Sequence, residues 1–262
     1  QYWENSVKLF EHAIQVTHKK YPSFVGIYNN LGVVLNQKMK FEEAMIHFKN
    51  AVKLQPTYPE AHNNLGNALS GLNRFQEANI YYKEAIRLKP DYPEAHNNLA
   101  NSLAKMLNFQ DAIIHYLTAI RHKPEFAKAH FNLGVTFNLR EYKGNSKERS
   151  IKHLEEAIRL EPNFSEAHLA LGKIFAEKNN SKTAIYHFER TIKIDPNNAI
   201  AHNSLGSTLG EQGNFKQAIA HFNTAIKINP HYVEAHQNLG TALSILGQSD
   251  KPVDHFKIMK EL

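Results

Sequence analysis

One short string returns along this chain at a fixed interval, and that recurrence constrains the fold more than any other feature. A leucine followed by a small residue, usually glycine, stands at Leu31, Leu65, Leu99, Leu133, Leu171, Leu205 and Leu239, every step being 34 residues except one of 38. Downstream positions return with it. Ala44, Ala78, Ala112, Ser150, Ala184 and Ala218 are each followed four residues later by Phe48, Tyr82, Tyr116, Leu154, Phe188 or Phe222, and three residues after that by Ala51, Ala85, Ala119, Ala157, Thr191 or Ala225. A small, a large and a small residue at those offsets share one helical face, so each period holds a helix with a knob-and-hole stripe.

A second helix in each period carries the Leu-Gly pair. Glycine inside a helix costs roughly 1 kcal/mol against alanine, and the expected compensation is close approach of a neighbouring helix. Each period closes on a proline, at Pro56, Pro90, Pro124, Pro162, Pro196 and Pro230, which disfavours helix at the residue before it. The residues therefore describe repeated helix pairs that bury their apolar faces only against their neighbours.

A period of 34 residues with Leu-Gly, Ala, aromatic, Ala and Pro at these offsets resembles the tetratricopeptide repeat over almost the whole chain. The resemblance implies an all-α, right-handed superhelical solenoid of antiparallel helix pairs. Repeats are expected at 25–58, 59–92, 93–126, 127–164, 165–198, 199–232 and 233–262. Residues 1–24 resemble a lone second helix, with Ser6, Phe10 and Ala13, plus a linker, and Trp3 is expected to dock this helix as a cap. The four extra residues around 141–149 are close to one helical turn, and an added turn would keep both helices on their faces. Gly144-Asn145-Ser146 suits the loop. Pro252 replaces the usual alanine of the last repeat, as in a terminal helix shortened and capped by Ser249 or Asp250.

Composition narrows the classes further. The 31 Lys and Arg against 25 Asp and Glu give a net charge of +6 spread along the chain, and no apolar run is long enough to span a bilayer, so no direct membrane insertion is expected. Cysteine is absent, which removes disulfides and thiolate metal sites. The chain opens at Gln1 without an initiator methionine or signal pattern and is expected to be a processed or excised piece.

Sixteen histidines invite a metal reading. Most belong to two repeating sets, His62, His96, His130, His168, His202 and His236, and His47, His115, His153, His187, His221 and His255. No two stand three or four apart, so no helix offers a zinc-type pair, and the expected role is to fill a semi-buried slot between helices. Gly66 and Gly71 have phosphate-loop separation, but Leu72 and Asn73 stand where Lys and Ser or Thr are needed. Glu60, Glu94, Glu166 and Glu234 fall at repeated surface positions. No catalytic residue, metal or other cofactor is expected.

Asparagine carries the binding signal. Asn30, Asn64, Asn98, Asn132 and Asn238 share one position before the Leu, with Ala170 and Ser204 interrupting the row. In the resembled family the first helices line a concave surface, and the row resembles the asparagine ladder of O-linked N-acetylglucosamine transferases, which grips an extended peptide through its backbone. An amide offers donors and an acceptor together and so suits a peptide bond without demanding a sequence. Asn63 with Asn67, and Asn97 with Asn101, extend the polar strip. Of the three cations in the carboxylate clamp of co-chaperone repeats only Lys128 is present, so a neutral groove is the better match.

These residues point to a protein-interaction scaffold that takes a partner protein or an extended peptide. An alternative is the non-catalytic, substrate-recruiting tail of a membrane glycosyltransferase, which the string at 1–17, with Tyr2-Trp3, resembles. The first reading implies a cytoplasmic location and the second the extracytoplasmic side of a membrane. Nucleic acid is not an expected partner, because the groove positions lack a basic stripe with stacking aromatics, and the oligomeric state stays open.

Overall fold

The computed structural model describes residues 7–9, 25–139 and 145–247. Residues 7–9 are helical, no strand occurs among the described residues, and thirteen α-helices follow: α1 Val25–Gln37, α2 Phe41–Leu54, α3 Pro59–Gly71, α4 Phe75–Leu88, α5 Pro93–Lys105, α6 Phe109–His122, α7 Ala127–Leu139, α8 Ser146–Leu160, α9 Ser165–Glu177, α10 Ser181–Ile194, α11 Ala199–Glu211, α12 Phe215–Ile228 and α13 Val233–Ile245. The expectations for Trp3, Ser6, Phe10, Ala13, Gly144, Ser249, Asp250, Pro252 and His255 fall outside the described residues. The chain divides into two compact units, 1–136 and 137–262, with the boundary inside α7.

In the first unit α1 packs on α2, α3 on α4 and α5 on α6, while α2 meets α3 and α4 meets α5; the first helices α1, α3 and α5 also touch in sequence. The second unit repeats the scheme with α9 on α10 and α11 on α12, followed by α13, and α9, α11 and α13 in sequence. The small-large-small stripes are the contact surfaces: Ala44, Phe48 and Ala51 are buried on α2, and Ala218, Phe222 and Ala225 on α12.

The helical glycines face those aromatics. A Cβ added at Gly32, Gly66, Gly172 or Gly206 would lie 2.5–2.6 Å from a ring carbon of Phe48, Tyr82, Phe188 or Phe222. The conformational cost of glycine thus permits a ring to press closely against the neighbouring helix backbone.

Within five of the described pairs the turn is a helix C-terminal motif with one left-handed residue. Lys40, Arg74, Asn108, Asn180 and Asn214 donate their backbone N–H groups to carbonyls five residues back, at 2.9–3.0 Å. The residues before them, Met39, Asn73, Leu107, Asn179 and Gly213, have φ of 56–80°.

The extra residues near 141–149 do not add a full turn to a described helix. α7 has 13 residues and α8 has 15, against 14 in the other second helices, and residues 140–144 lie outside the described residues. Register is regained because Ser150, Leu154 and Ala157 return to the buried stripe.

Candidate functional site

The asparagines fall into three environments. Asn29, Asn63, Asn97 and Asn203, one position before the row, are buried at 6, 4, 2 and 1% exposure. Each accepts through Oδ1 from an asparagine one helix pair later: Asn64 to Asn29 at 3.0 Å, Asn98 to Asn63 at 3.1 Å, Asn132 to Asn97 at 3.0 Å and Asn238 to Asn203 at 3.0 Å. These amide-to-amide bonds latch successive first helices together. Asn203 also donates to Glu234 at 3.0 Å and Asn238 to the Ser207 hydroxyl at 3.1 Å.

Row residues Asn64, Asn98 and Asn132 are half-buried and spend Nδ2 on the latch. The Oδ1 atoms of Asn64 and Asn132 meet no donor among the described residues, and that of Asn98 receives a long 3.4 Å bond from Asn97. Asn67 and Asn101 are the reverse case. Their Oδ1 atoms accept from the Tyr82 and Tyr116 hydroxyls at 3.0 and 2.6 Å, and their Nδ2 atoms meet no acceptor among the described residues. Burial drives both phenols well above their usual pKa, so they stay protonated donors.

The first unit therefore brings Asn64, Asn67, Asn98, Asn101 and Asn132 onto consecutive first helices. Asn63 and Asn97, expected on the same strip, are instead interior latches whose carbonyl oxygens are already engaged. Asn30 and Lys128 are exposed on α1 and α7, and Asn238 belongs to the second unit.

Histidine has a role that spacing along a helix could not reveal. Nε2–H of His62, His96, His130, His168, His202 and His236 donates to the carbonyl of Pro56, Pro90, Pro124, Pro162, Pro196 or Pro230, at 2.8–3.4 Å. The ring thus closes the turn that the proline opens. A neutral imidazole donating from Nε2 carries its lone pair on Nδ1. In three pairs that atom meets a second histidine Nδ1: His96 with His115 at 3.0 Å, His168 with His187 at 3.0 Å and His202 with His221 at 3.1 Å. His115, His187 and His221 must therefore carry the proton on Nδ1.

Two protonated rings cannot share that contact. Burial lowers the pKa of His96, His115, His168 and His221, with the facing histidine adding to the effect at His115 and His221, and together they push His187 to about 4. His96, His168 and His202 of one set and His115, His187 and His221 of the other fill the slot expected for them as bonded pairs, whereas His62 stacks on Tyr81 instead. No group of three His, Asp or Glu side chains among the described residues could hold a metal ion. No helix among the described residues is long and apolar enough to cross a membrane.

Family models described as tetratricopeptide repeat match residues 59–92, 97–141, 199–232 and 221–251, and models described as TPR repeat match 34–73 and 172–213. A search of curated proteins found no match. Solved structures agree in fold. The Cut9–Hcn1 hetero-tetramer of the APC/C is similar at TM-score 0.76 and 16% identity, over 92% of this chain and 47% of that one, so this chain spans about half its length. Pseudomonas aeruginosa pilF is similar at TM-score 0.72 and 17% identity, over 81% and 95% of the two chains. YrrB, described as a TPR protein with an unusual peptide-binding site, is similar at TM-score 0.57 and 23% identity, over 72% and 96%. With its recurring helix pairs, its rings packed on helical glycines and these matches along both units, the chain belongs to the tetratricopeptide repeat family of protein-interaction scaffolds.

Proposed function

We propose that the first unit binds an extended peptide through its backbone, using Asn64, Asn67, Asn98, Asn101 and Asn132. The observation that carries this reading is the polarity of the amides. Those tied down at Nδ2 turn out an acceptor, and those tied down at Oδ1 turn out a donor. Asn64 with Asn67, and Asn98 with Asn101, place the two kinds one helical turn apart, and a peptide bond needs both. A fixed amide also avoids the entropy of ordering a free side chain on binding. YrrB, with its described peptide-binding site, supports the reading as a neighbour in fold. Asn30, Asn238 and Lys128 extend the proposed contacts beyond this core.

The experiment selects a linear peptide on the wild-type chain from a displayed library and measures its affinity for Asn67→Asp/Asn101→Asp. Aspartate keeps an oxygen for each tyrosine hydroxyl but has no N–H to give. We expect affinity to fall by about 1 kcal/mol or more per site, with the melting temperature nearly unchanged. Unchanged affinity overturns the reading.

A further inference from the structure

Tyrosine and asparagine occur together in a way that packing does not require. Asn67 precedes Tyr82, and Asn101 precedes Tyr116, by 15 residues. At the same two positions other helix pairs carry Val33 and Phe48, Lys173 and Phe188, or Ser207 and Phe222. Phenylalanine lies against glycine as tyrosine does: a Cβ at Gly172 would come 2.5 Å from the Phe188 ring, and one at Gly66 2.5 Å from the Tyr82 ring. The hydroxyl is therefore surplus to the packing. It appears where an amide can accept its hydrogen bond, as a hydroxyl buried with the ring at 2% exposure requires.

The consequence concerns the orientation of the amide. Asparagine oxygen and nitrogen are nearly the same size, so an untethered side chain can turn either one outward. A hydroxyl that donates to Oδ1 removes that freedom. The ring bearing it cannot shift, because it is wedged against the Gly66 backbone at Tyr82 and fully packed at Tyr116.

We infer that Tyr82 and Tyr116 are positioning residues of the peptide site: their hydroxyls hold Asn67 and Asn101 with the N–H2 groups turned out, as donors for backbone carbonyls of the ligand. This rests on the proposed peptide-binding reading and adds the residues that set the sign of its contacts. Without the hydroxyls the amides sample both orientations, and one of these opposes oxygen to oxygen.

The test titrates the display-selected peptide into wild type, Asn67→Asp/Asn101→Asp, Tyr82→Phe/Tyr116→Phe and the combination of all four changes, with melting curves for each. Side-chain N–H2 resonances of Asn67 and Asn101 are followed in the ligand-free tyrosine variant, and the single Tyr82→Phe serves if the double variant melts too low. Expected are a loss of about fivefold in affinity for the tyrosine variant, altered Asn67 and Asn101 resonances before ligand is added, and no further loss in the fourfold variant. If the tyrosine variant binds as wild type while the aspartate variant does not, the inference falls and the peptide reading stands. An additive loss in the fourfold variant also overturns the inference. Wild-type binding by the aspartate variant, or failure to select any peptide, overturns the reading and the inference with it.

Discussion

The two units use the same helix-pair chemistry for different polar cargo. In the first, the first helices of α3/α4 and α5/α6 carry Asn64, Asn67, Asn98 and Asn101, with tyrosines beneath two of them. In the second, the matching positions of α9 and α11 carry Ala170, Lys173, Ser204 and Ser207 over Phe188 and Phe222. Imidazole pairs occur in both: His96–His115 in the first unit, and His168–His187 and His202–His221 in the second. The apolar stripe that makes the fold is common to both. Positions just off that stripe can therefore be assigned to recognition or to holding the pair together without disturbing it.

Acid should separate the units most. An unfolded histidine titrates near pH 6.5, and His187 is held at about 4 in the fold. Between those values the unfolded state binds more protons, so stability rises with pH. The contribution is complete above about pH 6.5 and is lost as pH falls toward 4. For His187 alone the loss between pH 7 and 5 is ~2 kcal/mol. Hydrogen exchange at those two pH values should show α9–α12 opening more readily at the lower one, and α3–α6 changing less. His187→Phe should remove most of the acid sensitivity of its pair, and equal acid response in variant and parent would show that the imidazole pair is not its source.

The placement of a hydroxyl gives the next largest contrast. Phe188→Tyr puts a buried O–H opposite Lys173 instead of asparagine, at a cost of about 1–3 kcal/mol for an unpaired group. Adding Lys173→Asn should recover much of that loss if the Asn–Tyr bond of the first unit can be transplanted. A melting series of parent, single and double variants checks it. No recovery in the double variant would mean that the first unit supplies something besides the two side chains.

Much of this architecture was legible because its causes repeat. Leu31, Gly32, Ala44, Phe48, Ala51 and Pro56 form a pattern whose period states the fold, and the glycine cost pointed correctly to close helix approach. The polar contacts were not legible in the same way. His96 and His115 are 19 residues apart and on different helices, so spacing along one helix carries no sign of their contact. The Asn64–Asn29 bond spans 35 residues, one more than the period, and places one asparagine of each Asn-Asn pair in the interior and the other at the surface. The tyrosine–asparagine link did leave a signal, since Tyr82 and Tyr116 occur with Asn67 and Asn101, but two residues sharing a helix-pair interface had to be compared jointly to see it.

The smallest expected effect tests the turns. Gly213 takes φ of 80° in the second unit, whereas Leu107 takes 62° at the equivalent turn of the first. A side chain in the left-handed region costs roughly 1–2 kcal/mol, because its Cβ crowds the following carbonyl, whereas glycine escapes the clash. Leu107 is also 74% exposed, so its removal forfeits little burial. Leu107→Gly relieves strain in the fold and adds freedom to the unfolded chain, and the two effects oppose each other. We expect net stabilisation of about 0.5–1 kcal/mol, read as a rise in melting temperature. Gly213→Leu should shift it the other way by a similar or larger amount. If Leu107→Gly destabilises the protein instead, the exposed leucine makes contacts that outweigh its backbone strain, and the first-unit turn is more than a tighter copy of the second.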